Sequence, residues 1–231
     1  EISACLVGSE MCIRDSTMTI RTLCHNGFCP PLFVFICMLL SCSIQLPKRC
    51  LAADEVWQGI VVSYNIRHGQ GMDGKLDLER TANVLKELSP DFVGLQEVDK
   101  GVSRSGSVDQ PEFLAKKLGM NPAFGKFMDY DGGQYGLAIL SKHPILESEV
   151  IELPRGNEPR VALAALVQIP NGEKITVVNL HFDWVNDDRF RYAQASKLRE
   201  HLDRLKTPYL LLGDFNDQSG SRTLDLLGRD N

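Results

Sequence analysis

Gly213-Asp214-Phe215-Asn216 follows the apolar run 208–212, which puts one carboxylate and one carboxamide at the mouth of a buried strand. Three other polar groups occupy the same kind of position: Asn65 after the β-rich run 60–64, Gln96-Glu97 after 92–95, and His181 after 175–180. Side chains at the ends of buried strands are held by a rigid scaffold, so four strands can deliver chemistry to one rim. The residue types suit cation-assisted phosphoester cleavage. Glu97 can coordinate Mg²⁺ through oxygen, and Asn65 can share that ion through a neutral oxygen. Asp214 can position and polarise water, while Asn216 can donate to a phosphate oxygen or to the developing transition state. His181 can donate to a non-bridging phosphoryl oxygen. Each has an ordinary alternative when taken alone: a solvated strand terminus for Glu97, an Asx-type turn for Asn65 or for the Gly-Asp-Phe-Asn segment, a packing residue for His181. Arg67 and Arg160 can hold an anionic group or can be plain surface or sheet-edge charges.

The elements that must position these groups are readable from periodicity. Strand 60–64, a helix over 77–88 with Asp77 as N-cap, and strand 92–95 make a β-α-β opening, with Ser89-Pro90 ending the helix. A second helix is expected over 111–118, closed by Gly119 in a left-handed cap. Strands follow at 134–140, 145–153 and 161–169, and Asn171-Gly172 is a hairpin signal leading into 175–180. A helix over 187–205 presents Phe190, Ala193, Leu198 and Leu202 as its apolar stripe, and 221–227 starts a last helix. Many strands with helices beside them predict two sheets packed face to face with helices outside.

Composition limits the alternatives. The 231 residues are 43% hydrophobic and 24% charged, enough for one sizeable core. All seven cysteines lie within 1–50, so disulfides, zinc-thiolate sites and cysteine catalysis are excluded for the rest. The formal charge is -5, and setting aside the four basic and three acidic residues of 1–53 leaves -6 for 54–231. No basic nucleic-acid footprint is present. A bound divalent cation would still let an acidic protein accept an anionic substrate.

The apolar run 32–40 is short for a membrane span, which needs about 20 residues. With Arg21 before it and Leu51-Ala52-Ala53 after it, 18–53 reads as a secretory signal, with an uncleaved N-terminal anchor as the alternative that Lys48-Arg49 keeps open. Residues 1–17 lack an initiating Met and read as a non-native leader; 54–231 is the catalytic-size domain. The expected location is secreted or periplasmic.

Five ordered segments resemble the signature of the endonuclease/exonuclease/phosphatase superfamily, the deoxyribonuclease I-like fold. They are Tyr64-Asn65-Ile66, Leu95-Gln96-Glu97-Val98, Tyr135-Gly136-Leu137-Ala138-Ile139-Leu140-Ser141, Asn179-Leu180-His181-Phe182-Asp183 and Gly213-Asp214-Phe215-Asn216. Arg67-His68-Gly69, Asp99, Arg104 and Arg191 with Gln194 look most like secreted bacterial members. The resemblance implies an α/β four-layer sandwich of two packed mixed β-sheets flanked by helices. It further implies a Mg²⁺ or Mn²⁺ ion and phosphoester hydrolysis by in-line water attack. Carried across, Glu97 is the metal ligand with Asn65 beside it, His181 contacts the scissile phosphate, Asp214 orients the nucleophile, and Asn216 helps hold phosphate. Arg67 stands where members acting at abasic sites carry Asp, which argues against that branch. The family's closing Ser-Asp-His segment does not occur before Asn231, and His201 in its helix cannot replace it. On the resemblance the chain is C-terminally truncated, its last strands missing, and nearly inactive in this form. Expected substrates are a phosphorylated small molecule, a phospholipid headgroup or nucleic acid. The protein is expected to be a monomer without an obligate partner, and a nuclease or a non-catalytic binding domain of the same fold is the alternative.

Overall fold

The structure is a computed structural model and describes residues 57–228. The leader and signal expectations for 1–53 lie outside the described residues. One sheet holds β1 (Val61–Asn65), β2 (Phe92–Lys100), β3 (Asn121–Tyr130) and β4 (Gly133–Ser141) in the order β1-β2-β4-β3. The other holds β5 (Ile145–Glu152), β6 (Val161–Gln168), β7 (Lys174–His181) and β8 (Tyr209–Asp214) in that order. Among the described residues, β1/β2 and β7/β8 are the parallel pairs. A parallel pair needs a crossover, supplied by α1 (Leu78–Leu88) between β1 and β2 and by α3 (Arg189–Leu202) between β7 and β8. Two strands joined this way finish at the same edge, so each sheet brings two strand ends to one rim. Among the described residues, β1 and β8 are each an outer strand of their sheet.

Alternation along the strands builds the layers. Phe92, Leu137 and Ile139 meet Leu163, Ala165 and Val167 between the sheets. The opposite faces, Val93, Leu95, Ala138 and Leu140, lie under Leu85 of α1 and Leu114 of α2 (Gln110–Leu118). Ala162, Ala164, Val178 and Leu180 lie under Leu198 and Leu202 of α3 and Leu227 of α4 (Arg222–Leu227). This is the expected four-layer α/β sandwich. Burial of each such leucine contributes about 1.5–3 kcal/mol.

Caps fix the helix starts. Asp77 accepts from the Arg80 amide at 2.9 Å and Asp109 from the Glu112 amide at 3.1 Å. Gly119 closes α2 at φ 66°, as expected, whereas α1 ends on Ser89 forced into the left-handed region at φ 48°. Three expectations are corrected. β3 was not read as a strand, because Pro122, Gly125 and Asp129 weaken its signal; it survives as the outer strand against β4. β2 continues through Glu97 to Lys100, pairing on with β4. Phe190 is exposed, and the buried stripe of α3 is Ala195, Leu198 and Leu202.

Candidate active site

Asn65 ends β1 in register with Gln96, and His181 ends β7 in register with Asp214, the last residue of β8. Because β1 packs against β8 across the sandwich, the two parallel pairs converge.

Glu97 reaches this rim by a β-bulge rather than by ending a strand. The β2–β4 register slips between Leu95 and Val98, and Glu97 sits at φ 57°, a conformation costly for any residue with a Cβ. The slip would leave carbonyls without ladder partners. Asn179, wholly buried on β7 of the opposite sheet, donates to Leu95 O at 2.8 Å and to Ala138 O at 2.9 Å. Its own Oδ1 accepts from Gln96 Nε2 at 2.7 Å, and Gln96 also donates to Ser63 Oγ and Gly94 O. Gly94 is required there, since a Cβ would lie 2.9 Å from Asn179 Oδ1. The bulge that aims Glu97 is therefore pinned by a satisfied cross-sheet polar bridge.

The Asn65 amide joins the two sheets at the rim. Its Nδ2 donates to Glu97 Oε1 at 2.8 Å and to Asp214 Oδ2 at 3.1 Å, while its Oδ1 accepts from the Arg67 amide at 3.1 Å. Arg67 and His68 follow with φ 47° each, a sharply turned exit from β1. On the other side, Gly213 at φ 150° allows β8 to approach β7; a Cβ would lie 2.4 Å from Leu180 O. Asn216, at φ 48°, donates its backbone N–H to Asp214 Oδ1 at 3.1 Å and its side-chain N–H to Phe182 O at 2.9 Å. That amide ties the Asp214 turn to the end of β7.

His181 is 4% exposed, with Nε2 3.8 Å from Asp214 Oδ2 and its ring beside Phe127. Burial, and then the Arg160 charge, lower its pKa to about 4 against the smaller opposing pull of Asp214 and Asp183, so it is neutral at neutral pH. The Tyr135 hydroxyl is pushed upward by burial and then by the Glu97 carboxylate, and stays a donor. The structure thus gathers all five predicted residues: Glu97, Asn65, Asp214 and His181 in a chain of neighbours, with Asn216 bonded to Asp214.

The donor set fits a hard divalent cation. Two carboxylates from different sheets face one amide nitrogen, and among the described residues no group of three or more His, Cys, Asp or Glu forms a protein cage. One or two carboxylates completed by water and substrate oxygens is the habit of Mg²⁺. As folded, Asn65 offers Glu97 its nitrogen, so it can ligate only with its amide reversed, and Glu97 is the stronger candidate.

Sequence reasoning missed what holds these groups in place. Asn179 lay inside a segment read as strand and Gln96 just after one, and their pairing across the sandwich has no local signal. Arg191 was quoted without a role; it is buried, donating to Asp183 O and Val185 O and to Asp217 Oδ2 at 3.3 Å, which braces the loops after β7 and β8. Arg160, open to being a surface charge, is only 2% exposed.

The sequence profile of the Endonuclease/Exonuclease/phosphatase family matches residues 62–230. YbhP of Escherichia coli (strain K12) is 28% identical over 169 residues, covering 68% of this chain and 66% of YbhP. The endonuclease/exonuclease/phosphatase structure from Beutenbergia cavernae superposes with a TM-score of 0.60 at 24% identity, covering 72% of this chain and 51% of that one. D. rerio TDP2 complexed with a single-strand DNA product gives a TM-score of 0.57 at 21% identity, covering 73% of this chain and 64% of TDP2. The match thus spans slightly under two thirds of YbhP and about half of the Beutenbergia chain.

Proposed function

The chain belongs to the endonuclease/exonuclease/phosphatase family, and from that premise we propose that it is a divalent-metal-dependent hydrolase of phosphoesters, foremost phosphodiesters. The observation that carries this reading is the Asn65 amide bonded at once to Glu97 and Asp214, with His181 3.8 Å beyond. Glu97, with Asn65, would hold Mg²⁺ or Mn²⁺, which when bound supplies Lewis-acid polarisation of a phosphoryl oxygen.

The rest falls to the chain's own side chains. Asp214 orients the attacking water: one oxygen is fixed by the Asn216 amide and the other faces the rim. Water oxygen bonds to phosphorus as the ester P–O bond opposite it breaks, the water gives up a proton, and the leaving oxygen gains one. Neutral His181 offers a single N–H to a non-bridging oxygen without adding a charge. Asn216 works chiefly by keeping the Asp214 turn closed onto Phe182.

The formal charge of -5 favours a small phosphodiester or a lipid headgroup over a nucleic acid. Exposed Trp184 and Tyr130 favour the second reading, a nuclease, because aromatic faces can stack bases. A secreted or periplasmic location rests on 18–53, outside the described residues; among those described, no helix is long and apolar enough to cross a membrane.

The test is hydrolysis of bis(p-nitrophenyl) phosphate by the protein, with Mg²⁺ and with chelator. The proposal expects turnover with Mg²⁺ and its loss with chelator; equal rates in the two conditions would overturn it.

A further inference from the structure

Trp184 is 58% exposed, although tryptophan ordinarily turns most of its large apolar surface inward. It follows His181 by three residues, a span of at most about 11 Å of chain, so it belongs to the same rim. Its backbone is held on both sides. The buried Asp183 carboxylate accepts from the Val185 amide at 3.1 Å and from the Asn157 amide at 2.6 Å. The Asp183 amide donates to Gln194 Oε1 at 3.0 Å, and buried Arg191 donates from Nη1 to both Asp183 O and Val185 O. The approach of Asn157 requires Gly156, since a Cβ there would lie 2.2 Å from Asp183 Oδ2. A buried carboxylate and a buried guanidinium thus fix the residues on either side of one exposed indole.

Other aromatic rings of the fold are already engaged. Trp57 packs edge-on against Phe92 and His143, with centroids at 5.7 and 5.8 Å. Tyr130, exposed at the β3–β4 turn, is covered by the Arg104 guanidinium at 4.5 Å. Among the described residues, the Trp184 ring meets neither another aromatic ring nor a cation. What can stack there is limited by the surrounding charge. Residues 183–189 hold three Asp against one Arg, and Arg189 is matched by Asp187 at 2.9 Å as Arg222 is by Asp188 at 2.8 Å. Such a segment gives an anionic bilayer no positive charge to hold, whereas a neutral aromatic ring needs none.

The in-line chemistry says which part of a substrate would carry that ring. Attacking water and leaving oxygen lie on the axis of the displacement, and the ester oxygen that stays on phosphorus is equatorial with the non-bridging oxygens. His181 serves that equatorial belt, and the chain continues from His181 directly to Trp184. We propose that Trp184 is a specificity-determining residue, a fixed stacking platform for a planar aromatic or heteroaromatic ring on the ester group that remains attached to phosphorus. The proposal rests on the phosphoesterase reading and names its substrate class: small phosphodiesters whose retained group bears such a ring. An indole whose backbone is already ordered loses little freedom on binding, and stacking needs no positive charge from an acidic protein.

The experiment compares two diesters with the same leaving group, bis(p-nitrophenyl) phosphate and methyl p-nitrophenyl phosphate, hydrolysed with Mg²⁺. They differ only in the group that stays, so the ratio of their kcat/KM values isolates the ring. Trp184→Ala is expected to lower the wild-type preference for the first by about tenfold, mostly through KM, and Trp184→Phe to restore most of it. An unchanged preference, with Mg²⁺-dependent turnover of both diesters, overturns the platform and leaves the phosphoesterase reading standing. A binding measurement decides the case without turnover. The chain has two tryptophans, so Trp57→Phe leaves Trp184 as the single emitter. Where Trp57→Phe unsettles the fold, the quenching lost between wild type and Trp184→Ala gives the same information. Saturable quenching by p-nitrophenyl phosphate, and not by methyl phosphate, supports the platform even if neither diester is hydrolysed, an outcome that would sink the phosphoesterase reading alone. Absence of saturable quenching overturns the platform. So does a blue shift of Trp184 emission on vesicles of equimolar phosphatidylcholine and phosphatidylglycerol without preference between the diesters, which would assign the indole to a lipid surface.

Discussion

The two sheets contribute unlike chemistry to the shared rim. From β1 and β2 come Asn65 and Glu97, partly exposed, acidic on balance, and bonded to each other at 2.8 Å. From the β6–β7 side come His181 and Arg160, almost wholly buried and carrying donors or acceptors with no partner among the described residues. Asp214 lies on the seam, joined to Asn65 and near His181. Buried polar groups are ordinarily paired. The difference therefore separates an end whose polar groups satisfy one another from an end that keeps buried polar atoms unpaired.

The largest expected effect comes from breaking the seam. Asp214→Asn keeps shape and removes the charge that orients water, and should lower kcat/KM for a phosphodiester by about 10²–10⁴-fold with the melting temperature held. A loss of fold at the same time would mean that Asp214 holds the sheets together and not the water. Next comes the bridge that lets one sheet aim the other's carboxylate. Asn179→Ala strips the Leu95 and Ala138 carbonyls and Gln96 Nε2 of their partner, and should cost about 3 kcal/mol in urea unfolding. Activity should fall with it as Glu97 loses its aim; a variant of unchanged stability would show that the bridge is dispensable.

The smallest expected effect is a pH dependence confined to the buried side. The His181 pKa is lowered to about 4 in the fold, from 6.5 in an unhindered histidine. In the unfolded chain the imidazole charges as pH falls through about 6.5, while in the fold it resists. The stabilisation is thus whole above that pH, declines as pH drops, and is exhausted near pH 4. Unfolding midpoints of wild type should decline over this window more steeply than those of His181→Gln. Parallel curves would show that the histidine is not sequestered.

Much of this arrangement was legible in the sequence, because a buried strand announces itself by its apolar run and the first polar residue after it marks the rim. Asn65, His181 and Asp214 were found that way, and each is the last residue of its strand. Glu97 was found for a reason that proved only half right. Gln96 and Glu97 were read as following a strand, but the strand runs on and a bulge turns Glu97 outward. A bulge is a property of two paired strands, and neither strand's own residues declare it. Asn179 was similarly hidden in a run read only for its periodicity, and its partners lie 41 and 84 residues away. Arg160 was left between surface charge and anion ligand because burial depends on what packs over it, here Phe127 from the other sheet. Local pattern revealed which residues arrive at the rim; the contacts that aim them come from distant segments.

The central claim is that Glu97, Asn65, Asp214 and His181 surround one cation-dependent site. Titration with Mn²⁺, followed by NMR of the histidine rings, tests it most directly. The account predicts that paramagnetic broadening strikes His181 ahead of His143 and His201, and that Glu97→Gln abolishes it. Broadening that spares His181, or that persists undiminished in Glu97→Gln, would contradict the account.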